Sequence, residues 1–515
     1  MKKFFQFLVL LSSIWIYSCS SSRRTVVTGD DGKIDICFVQ VNDVYEIAPL
    51  ENGKVGGMAR VATIKKEQLL KNKNTFLVLA GDFVSPSVFN SLKYEGSRIR
   101  GKQMVETMNA AGMDLVVFGN HEFDIPEADL QSRINESNFL WVATNTFHKK
   151  DNIVSVFIKN NAHGIVPFPE TYIRSVKDSD GTTAKIGFIG ITLPFNTAGY
   201  VSYTDVFMAA QKGYDNIKDS CDAVVAITHQ AMEDDIKLAR SIPGLTLIIG
   251  GHEHERHYAK IGNVYITKAD ANARTAYKIQ LIINKKNKRH EVKTELIYVD
   301  EKIVSDSATD AVVRKWTDIA EKNYASIGFD AHQVVMKDGE PLDGREAYIR
   351  TMSTNFTKLI VTAIEKASPT ADAAIINSGS IRVDDILQMP VNQYDIIRSL
   401  PFGGSIMEVD VKGSLLIEIL NAGKKNNGNG GYLQYSPALI YDGRTWSIKN
   451  VPVENGKVYK IALTDFLMTG GEANMGFLTK DNPGIVKVYP VYSDISDLRS
   501  DVRRAIINYM EGLGK

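Results

Sequence analysis

Cysteine is scarce in this chain of 515 residues, which carries three. So few exclude the disulfide framework that staples small secreted domains. Net charge is missing as well, because Lys and Arg total 60 and Asp and Glu total 60. There is no basic run to track a phosphate backbone, so a nucleic-acid polymer is not an expected partner. No apolar stretch reaches the roughly 20 residues that cross a bilayer. No internal repeat or long low-complexity tract is present. What remains is ordinary globular composition, 44% hydrophobic and 23% charged. At this length a single hydrophobic core does not suffice, and two domains are expected.

The N-terminus carries a targeting pattern. Lys2 and Lys3 precede an apolar run from Phe4 to Tyr17, which closes in Ile16-Tyr17-Ser18-Cys19. The run is too short for a membrane span and reads as a signal peptide over residues 1–18. Its end resembles a bacterial lipoprotein signal, which implies lipidation of Cys19; a plain secretory signal with an accidental cysteine is the alternative. Residues 19–33 then form a polar tether. The resemblance implies export across the inner membrane to the periplasm or outer membrane, with the lipid anchor as the sole membrane contact. Several acyl chains on one cysteine anchor durably, where one alone binds marginally. Cys37 and Cys221 lie within or beside apolar runs. They read as buried thiols, with a bridge between them left open.

From residue 34 to about 300, short β-branched runs alternate with helix-like stretches, the pattern of a layered α/β domain. The runs cover 34–41, 75–80, 114–118, 185–191, 223–228 and 245–249. Residues 277–283 and 290–299, joined by Asn284-Lys285-Lys286-Asn287-Lys288, read as a β-hairpin closing the first domain, 34–300. Residues 306–326 place Val312, Val313, Trp316, Ile319, Ala320 and Tyr324 on one helical face. This makes 301–327 a connector helix. A second α/β domain follows over 328–515. Lys424 to Gly431, rich in Asn and Gly, reads as a flexible surface loop within it.

The functional signal is positional. Five apolar runs of the first domain end directly in metal-binding residue types: Asn42-Asp43, Gly81-Asp82, Gly119-Asn120-His121-Glu122-Phe123-Asp124, Thr228-His229 and Gly250-Gly251-His252-Glu253-His254. Ligands of open α/β sheets bind beyond the carboxyl ends of the strands, so these loops are expected to converge. A polar residue after one strand is usually a turn former or cap. Five such ends are not explained that way, and they hold four of the nine histidines. Carboxylate, amide oxygen and imidazole together suit Zn²⁺, Mn²⁺ or Fe, with no thiolate needed. A bridging carboxylate can hold two cations about 3.5–4 Å apart. Asp82, after a glycine, is the candidate bridge.

The series Asn-Asp…Gly-Asp…Gly-Asn-His-Glu-Phe-Asp…Thr-His…Gly-Gly-His-x-His resembles the calcineurin-like metallophosphoesterases, and among them the 5′-nucleotidases. That resemblance implies a four-layer α/β/β/α metallophosphoesterase domain and a C-terminal α/β substrate-binding domain joined by the connector helix. It implies two divalent metal ions, one held by Asp43, Asp82 and His254 and the other by Asp82, Asn120, His229 and His252. The family's first motif is Asp-x-His, but here Val44 and Tyr45 follow Asp43. Tyr45 could coordinate as a phenolate, favouring a harder ion. Alternatively a water could fill the position, the site could be weak, or Tyr45 could be a packing residue.

Two cations acidify a shared water, which attacks phosphorus in line with the leaving oxygen. His121 stands next to Asn120, with Asp124 three residues on, a spacing that lets the carboxylate orient the imidazole. His121 is the candidate acid for the leaving oxygen. Asp124 fixes its tautomer, caps a helix opening at Ile125-Pro126-Glu127, or does both.

In the second half, Asn377-Ser378-Gly379-Ser380-Ile381-Arg382 resembles the Asn-Gly-Gly-x-Ile-Arg motif of the 5′-nucleotidase substrate domain. Arg350 precedes Asn355 by five residues, as an arginine does there. Leu400 to Gly404 and Gly470 to Phe477 match two aromatic positions. Arg350 and Arg382 can fork onto phosphate oxygens, Asn377 can meet a base edge, and Phe402 and Phe477 can sandwich the base. Taken singly, each Phe reads as core and each Arg as surface charge. The expected activity is release of phosphate from nucleoside monophosphates outside the cytoplasm. Close alternatives are UDP-sugar hydrolysis and 2′,3′-cyclic nucleotide cleavage, and a nucleotide-binding lipoprotein of weak activity is the alternative from another class.

Overall fold

Strand Lys33–Val41 alternates its side chains between two apolar environments. Ile34, Ile36 and Phe38 enter one buried cluster, Val39 and Val41 another. A strand buried on both faces belongs to the middle of a layered fold, and that is where a computed structural model of the chain places it. The structure describes residues 31–513 other than 163, 196 and 197; the signal peptide and Cys19 lie outside the described residues.

Two six-stranded sheets make the first domain. One runs in the order Arg289–Tyr298, Thr275–Asn284, Lys33–Val41, Thr75–Ala80, Leu115–Val117 and Leu140–Trp141. The other runs Thr171–Lys177, Thr183–Thr192, Ala223–His229, Leu247–Gly251, Val264–Lys268 and His257–Ile261. Lys33–Val41, Thr75–Ala80, Leu115–Val117 and Leu140–Trp141 run parallel in the first, as do the four inner strands of the second. The expected hairpin pairs antiparallel, Thr275 opposite Tyr298 through Asn284 opposite Arg289.

The sheets share one core, in which Phe38, Val78 and Val117 of the first meet Phe188, Val225 and Leu247 of the second. Helices Met58–Lys71 and Lys102–Ala111 cover the outer face of the first sheet, and Val206–Ile217 and Met232–Ser241 that of the second. This is the four-layer α/β/β/α arrangement.

Helix Ser307–Ser326 forms where the apolar spacing places it, with the Asp306 carboxylate accepting the Thr309 N–H at 3.0 Å. It lies packed on the first domain. Trp316 is fully buried, and its indole N–H donates to Glu106 at 2.9 Å. Beyond it the second domain builds a five-stranded sheet in the order Leu433–Tyr435, Ala373–Asn377, Val458–Thr464, Ile406–Lys412 and Ile485–Val488. Helices Asn355–Ala367 and Val502–Leu513 join the core cluster that also holds Trp316 and Tyr324, while Gly413–Lys425 packs in a separate cluster.

One expectation needs correction. Lys424 to Gly431 is not simply a flexible surface loop, because Lys424 and Lys425 close a helix and Asn426 is fully buried. The Asn426 amide donates to the carbonyls of Gly431 and Ala473 at 3.1 and 2.6 Å and fastens the glycine segment to the neighbouring loop. Cys37 and Cys221 are both free thiols, and burial pushes the Cys37 thiol up to about 11.

Candidate active site

All five strand ends open on one region between the sheets. Asp43, Asp82 and Asn120 follow strands of the first sheet, whereas His229, His252 and His254 end or follow strands of the second. The His229 Nε2 stands 3.0 Å from an Asp82 oxygen, 3.9 Å from Asp43 and 3.2 Å from the Asn120 amide oxygen. The His254 Nε2 is 3.4 Å from Asp43. His252 gives its backbone N–H to Asp43 at 2.9 Å, with its ring 5.4 Å from that of His229.

The Tyr45 hydroxyl lies among these donors, 2.9 Å from His254 Nε2 and 3.3 and 3.5 Å from oxygens of Asp82 and Asp43. The residue in place of the family's histidine therefore turns its polar atom into the cluster while its ring stays buried.

The backbone bends hard to achieve this. Asp43, Asp82, His252 and His254 all have positive φ, at 53°, 58°, 101° and 61°. Non-glycine residues adopt that region at a cost of about 1–3 kcal/mol each, and such strain gathers at functional sites. Gly81 is required by proximity: a Cβ there would lie 2.6 Å from the His229 ring.

Electrostatics explains what the cluster can hold. Asp43 and Asp82 are both buried. Burial acts to raise their pKa, yet His229 together with His254 and the His252 N–H at Asp43, and together with His121 at Asp82, holds both below the ordinary carboxylate range. Burial pulls His229 down, but Asp82 and then Asp43 push it up to about 9. His252 is drawn down to about 4 by burial and by His229. Two carboxylates out of water at one spot call for positive charge. Asp43, Asp82 and His229 offer donor atoms within 4.8 Å of one another. Oxygen and imidazole donors without thiolate fit Zn²⁺, Mn²⁺ or Fe. The His229 Nδ1 faces the Ala80 carbonyl at 2.8 Å, which leaves Nε2 for the cluster.

Sequence reasoning passed over the supports. Glu122, inside the quoted motif, is fully buried and accepts backbone N–H groups of Asp82, Phe83, Val84 and Gly119 at 3.0, 2.7, 3.1 and 2.5 Å. It locks two of the five loops together; burial, then Asp82, raises its pKa to about 7. Lys268 is equally buried and donates to the carbonyls of Gln230 and Gly251 and to Glu253, tying the His229 loop to the His252 loop. The signal for Glu122 was its place in the motif; for Lys268, at the end of an apolar strand, there was none.

The His121 Nδ1 pairs with Asp124 at 2.6 Å. The helix after it takes Pro126 as its N-cap with no side-chain hydrogen bond, so Asp124 faces the histidine and does not cap. Burial lowers the His121 pKa, but Asp82 and Asp124 together carry it above its ordinary value.

His121 and Asp124 line a cavity of about 500 Å³ between the domains, whose opposite wall carries Arg350, Arg382 and Phe402. Arg382 reaches within 3.9 Å of Asp124, and the buried Nε atoms of both arginines have no hydrogen-bond partner. Asn377 and Phe477 are not in that wall. The Asn377 amide is engaged at both ends, donating to Glu472 at 2.6 Å and accepting from Ser380 at 2.7 Å. Phe477 packs half-buried against the second domain's core.

Fold and site together define a metal-dependent phosphoester hydrolase. The calcineurin-like phosphoesterase family model matches residues 36–256, and the 5′-nucleotidase C-terminal domain matches 333–479. The snake venom 5′-nucleotidase of Crotalus adamanteus is 25% identical over 90% of this chain and 85% of its own length. Protein UshA of Yersinia enterocolitica is 23% identical over 86% of each chain. Among solved structures, the 5′-nucleotidase precursor of Thermus thermophilus superposes with a TM-score of 0.67 at 21% identity, covering 93% of this chain and 97% of that one. The chain belongs to the calcineurin-like phosphoesterases that carry a 5′-nucleotidase C-terminal domain.

Proposed function

We propose that the protein is an exported, lipid-anchored 5′-nucleotidase that frees phosphate from nucleoside monophosphates with two divalent ions. Asp43, Asp82 and His254, with the Tyr45 oxygen, are assigned to one ion, and Asp82, Asn120, His229 and His252 to the other. When bound, the two cations supply an acidified water and neutralise the phosphoryl oxygens. Arg350 and Arg382 line the cavity and grip the phosphate through their guanidinium groups. His121, held in one tautomer by Asp124, protonates the leaving oxygen. Phe402 stacks on the base, and Asn377 shapes the loop behind it.

The observation that carries this reading is the shared cavity. It sets two arginines and an exposed aromatic ring of the second domain opposite the His121–Asp124 pair. The family's relatives named 5′-nucleotidases support the substrate class. The signal sequence and Cys19 support the location.

One observation favours a second substrate. Arg98 and Arg100 also line the cavity, where they could meet a further phosphate such as that of a UDP-sugar. The test is phosphate release from AMP, and formation of UMP and glucose 1-phosphate from UDP-glucose, with Mn²⁺, Zn²⁺ or Fe²⁺ added, alongside an Asp82→Ala variant. Release from AMP that the variant lacks is expected. Equal release by the variant overturns the metal assignment, and no release under any condition overturns the function.

A further inference from the structure

Asp384 belongs to the second domain, in the loop that carries Arg382, but its carboxylate ends on a histidine of the first. One Asp384 oxygen lies 2.6 Å from His254 Nδ1, and the other accepts the Glu346 backbone N–H. Asp384 adopts a φ of 37°, unusual for an aspartate, to make this reach. The opposite ring atom, His254 Nε2, faces Asp43 and the Tyr45 hydroxyl. A neighbouring ion pair also crosses the boundary, Asp385 to Arg274 at 2.6 Å.

We infer that Asp384 is a positioning residue that completes the metal centre across the domain boundary. The Nδ1–H of His254 donates to the carboxylate. That fixes the tautomer with Nε2 bare for a cation, the role second partners of ligating histidines play generally. Every other partner described for the six candidate ligands comes from the first domain, so this one is present only while the domains are closed on each other. Closure then tightens the hold on one ion, and by reciprocity the ion favours closure. Because Arg382 rides the same loop, gripping the phosphate and aligning His254 become a single event.

The inference rests on the metal centre proposed above. Its test is a Mn²⁺ titration of the full chain against a fluorescent chelator, comparing Asp384→Ala, Asp384→Asn and Asp385→Asn. Asp384→Ala should lose about 10- to 100-fold in affinity for one of two ions. Asp384→Asn should lose less, because its amide oxygen still accepts from Nδ1–H. Asp385→Asn should lose less than either Asp384 variant, since it loosens the interface without removing the Asp384–His254 contact.

If Asp384→Ala fails to fold, Asp384→Asn against Asp385→Asn decides the matter, and equal affinities overturn the inference. Undiminished affinity in Asp384→Ala overturns it as well, and so does an equal loss in Asp385→Asn. If the unmodified chain binds Mn²⁺ and cleaves AMP while Asp384→Ala keeps both ions, this inference falls alone. If the unmodified chain binds no Mn²⁺, it falls together with the metal centre.

Discussion

The two walls of the interdomain cleft are built on opposite plans. The metal cluster of the first-domain wall rests on side chains already engaged: Glu122 takes four backbone N–H groups, Lys268 clamps two loops, and Asn42 donates to Asp43 at 2.8 Å. The second-domain wall holds capacity in reserve, with two arginine Nε atoms unpartnered and Phe402 68% exposed. A wall that must hold charge at fixed spacing gains when its hydrogen bonds are already made, because preorganised dipoles need not reorient during reaction. A wall that must grip and release a substrate keeps its hydrogen bonds uncommitted until the substrate supplies the partners.

The difference can be broken at either wall. The largest expected effect is at the first: His121→Ala should lower kcat by about 10²–10⁴-fold while metal content stays unchanged. A loss of metal instead would make His121 part of the cluster's support. At the second wall, Phe402→Ala should raise KM for AMP with little change in kcat, at a cost of about 1–3 kcal/mol for a lost stacking platform. A fall in kcat alone would show that this wall, too, is tuned to the reaction. The subtlest effect is in pH. His229 has its pKa raised from 6.5 to about 9, so in chelator-treated protein its contribution is fully present below 6.5 and is lost as pH rises through about 9. Thermal melts should therefore weaken over that window, while Mn²⁺ affinity rises as the imidazole gives up its proton. A flat melting profile would place the proton elsewhere.

The same contrast explains what could be read from the sequence. The metal wall was legible because ligand chemistry is tied to strand ends: each of Asp43, Asp82, Asn120, His229 and His252 follows or ends an apolar run, and parallel strands bring such ends together. The layers were legible for the same reason, since runs such as 34–41 are buried on both faces. The substrate wall was legible only in part. Arg350, Arg382 and Phe402 reach the cavity, but Asn377 is consumed by Glu472 and Ser380, a pairing across 95 residues that no local pattern announces. Asp384 escaped notice because its partner lies in the other domain, and Lys268 because a lysine at a strand end ordinarily points to solvent.

Trp316 and Tyr324, on the apolar face of helix Ser307–Ser326, belong to a continuous oily seam that begins among Met104 and Met108 and ends at Ile506 and Met510. A chain severed just beyond Ser326 would leave that seam wet on both fragments, each carrying half of a surface made for the other. The protein's two tasks, holding metal and holding substrate, are thus divided between domains that share one solvent-free interior and do not keep it when parted.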